Sequence, residues 1–293
     1  APAFSAMLYS IFSAPEPMMQ TAHALLNGSQ VSKYQREGYL LYQNPVFPAQ
    51  SFAELTTCFE RLLALWLREK RCVSPEHMDV PHFYHPELFR WLLDDAVLDL
   101  VEPLLGPDIA LFSSHFICKP AGKSQRVPWH EDGWYWRCML APMEVVTVWL
   151  ALDPSTPENG CMQVVSGSHL RSHGGNSDYT PVADDGSSVF NSELRPQLID
   201  HGRVRDCVLA PNQASLHAAG TIHGSAPNTG TQRRCGYTMR YISTKTRFIT
   251  EGNDGFQLYL ARGRDHAGNV YGDPSLTNES WIRSHGLRPA KGH

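Results

Sequence analysis

Residues 129–136 read Trp129-His130-Glu131-Asp132-Gly133-Trp134-Tyr135-Trp136. In an extended strand successive side chains point to opposite faces, so His130 and Asp132 project to one side and Glu131 to the other. One imidazole and one carboxylate can then touch a single ion. A second histidine from a distant segment would complete a face of two histidines and one carboxylate. That ligand set suits non-heme Fe(II) and leaves positions for a cosubstrate and dioxygen. A His-x-Asp pair also arises by accident on polar strands, so other residues must supply the rest of the site.

The segments around this stretch are β-like. Runs at 109–119, 143–153, 162–165, 204–209 and 236–243 are separated by turns rich in Pro, Gly and Asn. Between 145 and 152, Val145, Thr147, Trp149 and Ala151 share one face and Val146, Val148, Leu150 and Leu152 the other, so both faces are expected to be buried. Short strands without strand-helix alternation favour a sandwich, barrel or jelly roll over a doubly wound sheet. The first third is helical instead. A helical pattern from Val31 to Gly38 precedes a strand at 39–42. Ser51 with Glu54 then reads as a capping box opening a helix with Phe52, Leu55, Phe59, Leu62, Leu63 and Trp66 on one face. A second helical region, 86–105, breaks near Asp94-Asp95 and stops at Gly106-Pro107. Residues 171–194, rich in Gly, Ser, Asn and Asp, read as one long loop.

A length of 293 residues permits one large domain or two small ones. The net charge of −4 gives no basic footprint for nucleic acid. No run approaches the ~18 apolar residues that span a bilayer. Residues 4–19 are mildly apolar but lack a basic flank and contain Pro15 and Pro17, so they do not read as a signal peptide, and a cytoplasmic protein is expected. The seven cysteines, Cys58, Cys72, Cys118, Cys138, Cys161, Cys207 and Cys235, are odd in number and form no C-x-x-C pair. They are expected to be reduced, mostly buried thiols outside any disulfide framework or zinc site.

Among fourteen histidines, the segment 216–228 offers two candidates for the missing ligand, His217 and His223. In a regular strand they would share a face, but Gly220 interrupts the register, and geometry alone does not separate them. Eleven residues beyond His223 stands Arg234. A guanidinium pairs bidentately with a carboxylate and stays charged when buried, which suits the far end of a dicarboxylate. A surface arginine beside Arg233 is the plainer alternative.

Trp-His-Glu-Asp-Gly at 129–133, Glu-Asn-Gly-Cys-Met at 158–162, Ser-Gly-Ser-His at 166–169, and Ile-His-Gly-Ser-Ala-Pro-Asn at 222–228 with Arg234 together resemble the phytanoyl-CoA dioxygenase family over residues 31–243. The resemblance implies a mainly β fold with flanking α-helices, built on a double-stranded β-helix, or jelly-roll, core. It implies one oxygenase domain over 1–293: a mostly helical part at 31–106, the core at 107–243, and an extension at 244–293. That extension, with Arg247, Arg262, Arg264, Arg283 and Arg288, reads as a lid, an oligomer contact or a solvated tail. The implied cofactors are Fe(II), 2-oxoglutarate and O2. Carried over, the family's iron ligands fall on His130, Asp132 and His223, the last preferred over His217 because Gly-Ser follows it. Arg234 becomes the 2-oxoglutarate partner with Ser225 as helper, and Trp149 and His115 fall near positions lining that pocket. Trp136 matches an aromatic of related ectoine hydroxylases, and Trp134 beside it is a further substrate candidate. These aromatics could meet substrate or pack beneath the strand. His169 resembles a structural turn. Halogenating relatives replace the carboxylate that Asp132 retains, so hydroxylation is expected. The substrate class expected is a small polar or zwitterionic metabolite, in a protein compatible with homo-oligomers. An acyl or natural-product substrate, an inactive metal-binding jelly roll and a zinc hydrolase are the alternatives, and in the last Arg234 would have no role.

Overall fold

The computed structural model describes residues 26–69, 78–122, 124–171, 175–183 and 188–285; residues 4–19, Cys72 and Arg288 lie outside them. The strands in chain order are β1 (Tyr39–Tyr42), β2 (Met78–Asp79), β3 (Ile109–Lys119), β4 (Val127–His130), β5 (Leu140–Ala141), β6 (Val145–Ala151), β7 (Gln163–Val165), β8 (Tyr179–Pro181), β9 (Ser192–Leu194), β10 (Val204–Asp206), β11 (Ala214–Ala218), β12 (His223–Ser225), β13 (Arg234–Ser243), β14 (Arg247–Phe248) and β15 (Tyr259–Arg262). The α-helices are α1 (Gly28–Glu37), α2 (Ala49–Arg68), α3 (Phe89–Leu92), α4 (Asp95–Leu105), α5 (Asp132–Trp136) and α6 (Glu279–Ser284). The major sheet runs β1-β11-β6-β13-β3-β15, with β2 also on β3, and the minor sheet runs β10-β7-β12-β4. Every pairing in both is antiparallel, the arrangement of a jelly-roll oxygenase.

Period-two alternation divides the chain between two interiors. Val146, Val148 and Leu150 of β6 and Tyr237, Met239 and Tyr241 of β13 join Leu55, Phe59 and Leu62 of α2 and Val97 and Val101 of α4 in one apolar core. Thr147 and Trp149 of β6, and Arg234, Thr238 and Arg240 of β13, point the other way and line a cavity. Both faces of β6 are buried, as its pattern predicts. This second interior is where polar residues gather.

The α2 face is the expected one, with Leu55, Cys58, Phe59, Leu62, Leu63 and Trp66 buried, but its start is not. The N-cap is Pro48, whose locked φ leads straight into the helix, so Ser51 sits inside the first turn and forms no capping box. The capping box lies instead on α1, where Asn27 and Gln30 exchange side-chain-to-backbone bonds. That helix begins before Val31 and ends at Gly38, which takes the left-handed conformation at φ +79°.

Three further expectations change. Cys118 and Cys235 are not reduced thiols: they face each other across β3 and β13 and form a disulfide. Adjacent antiparallel strands bring together residues 117 positions apart, and cysteine spacing carries no trace of that register. Cys58, Cys161 and Cys207 are free and buried, and Cys138 is free and exposed. The 171–194 segment is not wholly a loop, because β8 and β9 pair and bury Tyr179 and Leu194. The segment after Ser243 is not a solvated tail: β15 adds to the major sheet, Tyr259 and Ile282 are buried, and Arg262 pairs with Asp95, Asp99 and Glu102 along α4. Among the described residues no helix is long and apolar enough to cross a membrane.

The packing of α2 is directly testable by chemical denaturation. Leu62→Ala, at a fully buried position, should cost about 2–5 kcal/mol. Leu67→Ala, at a position 39% exposed, should change stability by no more than about 0.5 kcal/mol.

Candidate active site

The site is built on one cross-strand pair. His130, the last residue of β4, lies directly opposite His223, the first of β12, and the ring centroids are 4.1 Å apart. His130 Nδ1 donates to the Pro128 carbonyl at 2.7 Å and His223 Nδ1 to the Thr221 carbonyl at 2.8 Å. A carbonyl only accepts, so each Nδ1 carries a proton and each Nε2 is directed away from the backbone. Burial, then the neighbouring His130, holds His223 well below its ordinary pKa and therefore neutral.

Residues 129–136 do not continue as a strand. After His130 the chain turns: Gly133 N donates to the Ala219 carbonyl and Trp134 N to the Glu131 carbonyl, opening the short helix α5 at Asp132. Asp132 nevertheless reaches the histidines. Its Oδ1 lies 3.7 Å from His130 Nε2 and 4.0 Å from His223 Nε2. Its Oδ2 faces Thr147 Oγ1 at 3.4 Å, His217 Nε2 at 3.7 Å and Arg240 Nε at 3.9 Å. Burial works to raise this carboxyl, but the facing His130, His217 and Arg240 outweigh it and hold it well below the usual carboxylate range. One ligand atom from each of His130, Asp132 and His223 falls within 4.8 Å of the others, a set that can hold one ion. Glu131 turns away, as expected; burial, with Asp178 adding to it, pushes its carboxyl up to about 8.

His217 adjoins this trio, its ring 4.7 Å from that of His223, but is held differently. It projects from β11 of the opposite sheet, is 1% exposed, and neither ring nitrogen has a hydrogen-bond partner. It therefore lacks the backbone bond that fixes the other two imidazoles, the usual feature of a metal-ligating histidine.

Alternation along β13 also separates the two neighbouring arginines. Arg233 turns outward to ion pairs with Glu60 and Asp153. Arg234 turns inward, 2% exposed, with its guanidinium 5.1 Å from the Trp149 ring. Its Nη1 donates to the Gly160 carbonyl at 2.9 Å and its Nε has no partner. Among the described residues no carboxylate pairs with it, and burial pulls its pKa down to about 10. Glu158-Asn159-Gly160 shapes this contact. Asn159 bridges the Thr156 amide and the Pro154 carbonyl, and Gly160 adopts φ +74°, where a Cβ would lie 2.5 Å from the Ala226 carbonyl oxygen. Ser225 Oγ, buried in the same cavity, is also unpartnered.

That cavity, about 100 Å³, takes in the three possible ligands, Arg234, Ser225 and Trp149. A larger one of about 630 Å³ adjoins it, sharing His115, Asp132, Phe190 and Arg240. Trp136 lines the larger chamber. Trp134 lines neither: it stacks on Tyr179 with centroids 4.2 Å apart, in a separate apolar cluster. Thr147, Arg240 and Phe190 are the site residues that sequence reasoning did not single out, and Lys119 supports the site from outside the cavities. Lys119 is fully buried and ties the end of β3 to the 225–226 backbone through bonds to the Ser225 and Ala226 carbonyls. The inward stripe of β13 predicts Arg240 once Arg234 is known to face inward.

Gly236 sits between these groups. A Cβ there would lie 2.1 Å from Trp149 Cζ2. Gly236→Ala should lower stability by about 1–3 kcal/mol in thermal unfolding, because the ring, 3% exposed, has little room to move.

Comparisons with known proteins bear on the family and the fold. The phytanoyl-CoA dioxygenase (PhyH) family profile matches residues 34–236. The ectoine dioxygenase of Bordetella parapertussis is 27% identical over 240 residues, covering 74% of this chain and 76% of that protein. Among solved structures, the non-heme monooxygenase ThoJ in its apo form aligns with a TM-score of 0.66 at 22% identity, covering 87% of this chain and 92% of the other. EctD from S. alaskensis with 2-oxoglutarate and 5-hydroxyectoine aligns with a TM-score of 0.61 at 19% identity, covering 76% and 78%. With a profile match over more than half its length, the chain belongs to the phytanoyl-CoA dioxygenase family of non-heme iron, 2-oxoglutarate-dependent dioxygenases.

Proposed function

We propose that this dioxygenase hydroxylates a C–H bond of a small polar or zwitterionic metabolite, with His130, Asp132 and His223 as iron ligands and Arg234 and Ser225 holding the distal carboxylate of 2-oxoglutarate. The observation that carries the cosubstrate assignment is a buried guanidinium with an orphan Nε, no carboxylate partner among the described residues, and an orphan hydroxyl in the same cavity. Burying a cation without a counter-ion is costly, and the distal carboxylate of a dicarboxylic acid supplies the missing charge and acceptors. The relatives support the substrate class, since one is named for ectoine and a fold neighbour holds 5-hydroxyectoine.

When bound, iron with 2-oxoglutarate and dioxygen supplies the oxidising power for hydroxylation, releasing succinate and carbon dioxide. The chain's own residues prepare the place. The Pro128 and Thr221 carbonyls fix the two imidazoles with Nε2 inward. The division of Asp132, with Oδ1 toward the histidines and Oδ2 toward Thr147, His217 and Arg240, orients its carboxylate. Trp149 lies against the Arg234 guanidinium and His115 flanks the same cavity. Phe190, 4.9 Å from the His130 ring, closes the metal side against water, and substrate enters through the larger chamber.

Anaerobic addition of Fe(II) and 2-oxoglutarate should produce the weak visible absorption of the iron chelate, and its absence would overturn the reading. His223→Ala should abolish iron binding while His217→Ala keeps it; the reverse result would exchange the two assignments. Arg234→Gln should weaken 2-oxoglutarate binding about 10- to 150-fold, the range expected from losing about 1.5–3 kcal/mol of charge-assisted hydrogen bonding.

A further inference from the structure

The larger chamber holds a second inward cation, at its junction with the smaller cavity. Arg240 is six residues beyond Arg234 on β13, on the same inward stripe, and its side chain is 11% exposed. Its Nε has no hydrogen-bond partner, and its Nη1 reaches Ser113 Oγ at a long 3.4 Å. Among the described residues the one carboxylate within 4.0 Å is that of Asp132, at 3.9 Å, whose other oxygen faces the histidines. Trp136 stands against the guanidinium at 5.2 Å and fixes its plane without using its donors. Arg240 is therefore a positioned planar fork with donors to spare, at the junction of both cavities.

The surroundings define what it would bind. Phe112, Trp136, Phe256 and Trp281 make much of the chamber aromatic, and its volume of about 630 Å³ lies within the usual range for small-molecule sites. The exposed carboxylates of Asp79 and Asp254 also line this chamber, so the inner cation and these outer anions complement a ligand that carries both charges. Asp79 lies 3.5 Å from His115, whereas Asp254 has no ion pair among the described residues.

We propose that Arg240, with Ser113, is the anchor for a substrate carboxylate, and that the enzyme takes a compact amino-acid-like acid whose apolar body lies on Trp136 and the neighbouring rings. This deepens the reading of the metal centre and rests on it. Arg240 is a specificity-determining residue: it discriminates a carboxylate from an uncharged isostere because the fork loses its acceptor when the acid becomes an amide.

The test uses the full chain saturated anaerobically with Fe(II) and N-oxalylglycine, which fills the cosubstrate site without turnover. Matched pairs, L-phenylalanine with L-phenylalaninamide and L-leucine with L-leucinamide, are titrated and followed by tryptophan fluorescence and calorimetry. The acids should bind at least tenfold more tightly than their amides. In Arg240→Gln, brought to saturation with Fe(II) and N-oxalylglycine at that variant's own affinities, the preference should fall to less than threefold. Trp136→Leu should weaken acid and amide alike and keep their ratio. Equal binding of acid and amide by the parent protein, failure of every member of the panel to bind, or a preference that survives in Arg240→Gln would overturn the proposal. Failure of the parent to bind Fe(II) or N-oxalylglycine at all would instead sink the metal-centre reading, before any acid is added.

Discussion

The pairing of His130 with His223 across β4 and β12 is the constraint on which the rest of the site depends. Two imidazoles can share one ion only if the strands hold this register, since a slip of one residue would turn either ring to the opposite face. The register is secured by close approach. Gly224 follows His223, and a Cβ at that position would lie 3.0 Å from the Val127 carbonyl oxygen and 3.3 Å from Trp129 Cα. The ladder is also irregular between His223 and Ser225. The glycine of the His-Gly-Ser motif therefore lets β12 lie against β4, and the bulge re-aims Ser225 into the cavity that Arg234 enters.

Opposite this pair, β13 lines the same cavity with two arginines while holding the fold together. Its outward residues, Cys235, Tyr237, Met239 and Tyr241, belong to the core shared with the helices, and its inward ones carry the two cationic forks. Buried cations on a central strand are tolerable because the surrounding packing fixes that strand. Tyr241 Oη donates to the Leu92 carbonyl and Tyr237 Oη to Ser114 Oγ, so the outward face is anchored by polar bonds as well as by apolar area. A cavity-lining face is thus paired with a core face, residue by residue along one strand.

How much of this was legible in the sequence follows from the range of the forces involved. Alternation at 145–152 revealed β6 and its two buried faces, because period two is a local property. Helix α2 was legible from its apolar spacing, but its first turn was not, because Pro48 displaced the expected cap. The strand reading of 129–136 failed at Glu131, where a long-range bond from Gly133 to Ala219 turned the chain into α5. Asp132 still meets the histidines, so the composition of the motif was informative although its assumed geometry was not. Cys118 with Cys235 depends on β3 and β13 becoming neighbours, and the ion pairs of Arg262 on β15 meeting α4, and no single-strand pattern encodes either.

The two cavities are made of different kinds of chain. The smaller is walled largely by strands β3, β6, β11, β12 and β13, packed so tightly that Gly236 cannot accept even a methyl group beside Trp149. The larger also draws on α5, on Phe190 before β9, and on residues 252–256 and 281–285, all outside the sheets. Evolution can therefore remodel the outer vestibule by exchanging turns and side chains while the inner cavity keeps its shape. A scaffold divided in this way can diversify in what it accepts long before it changes what it does.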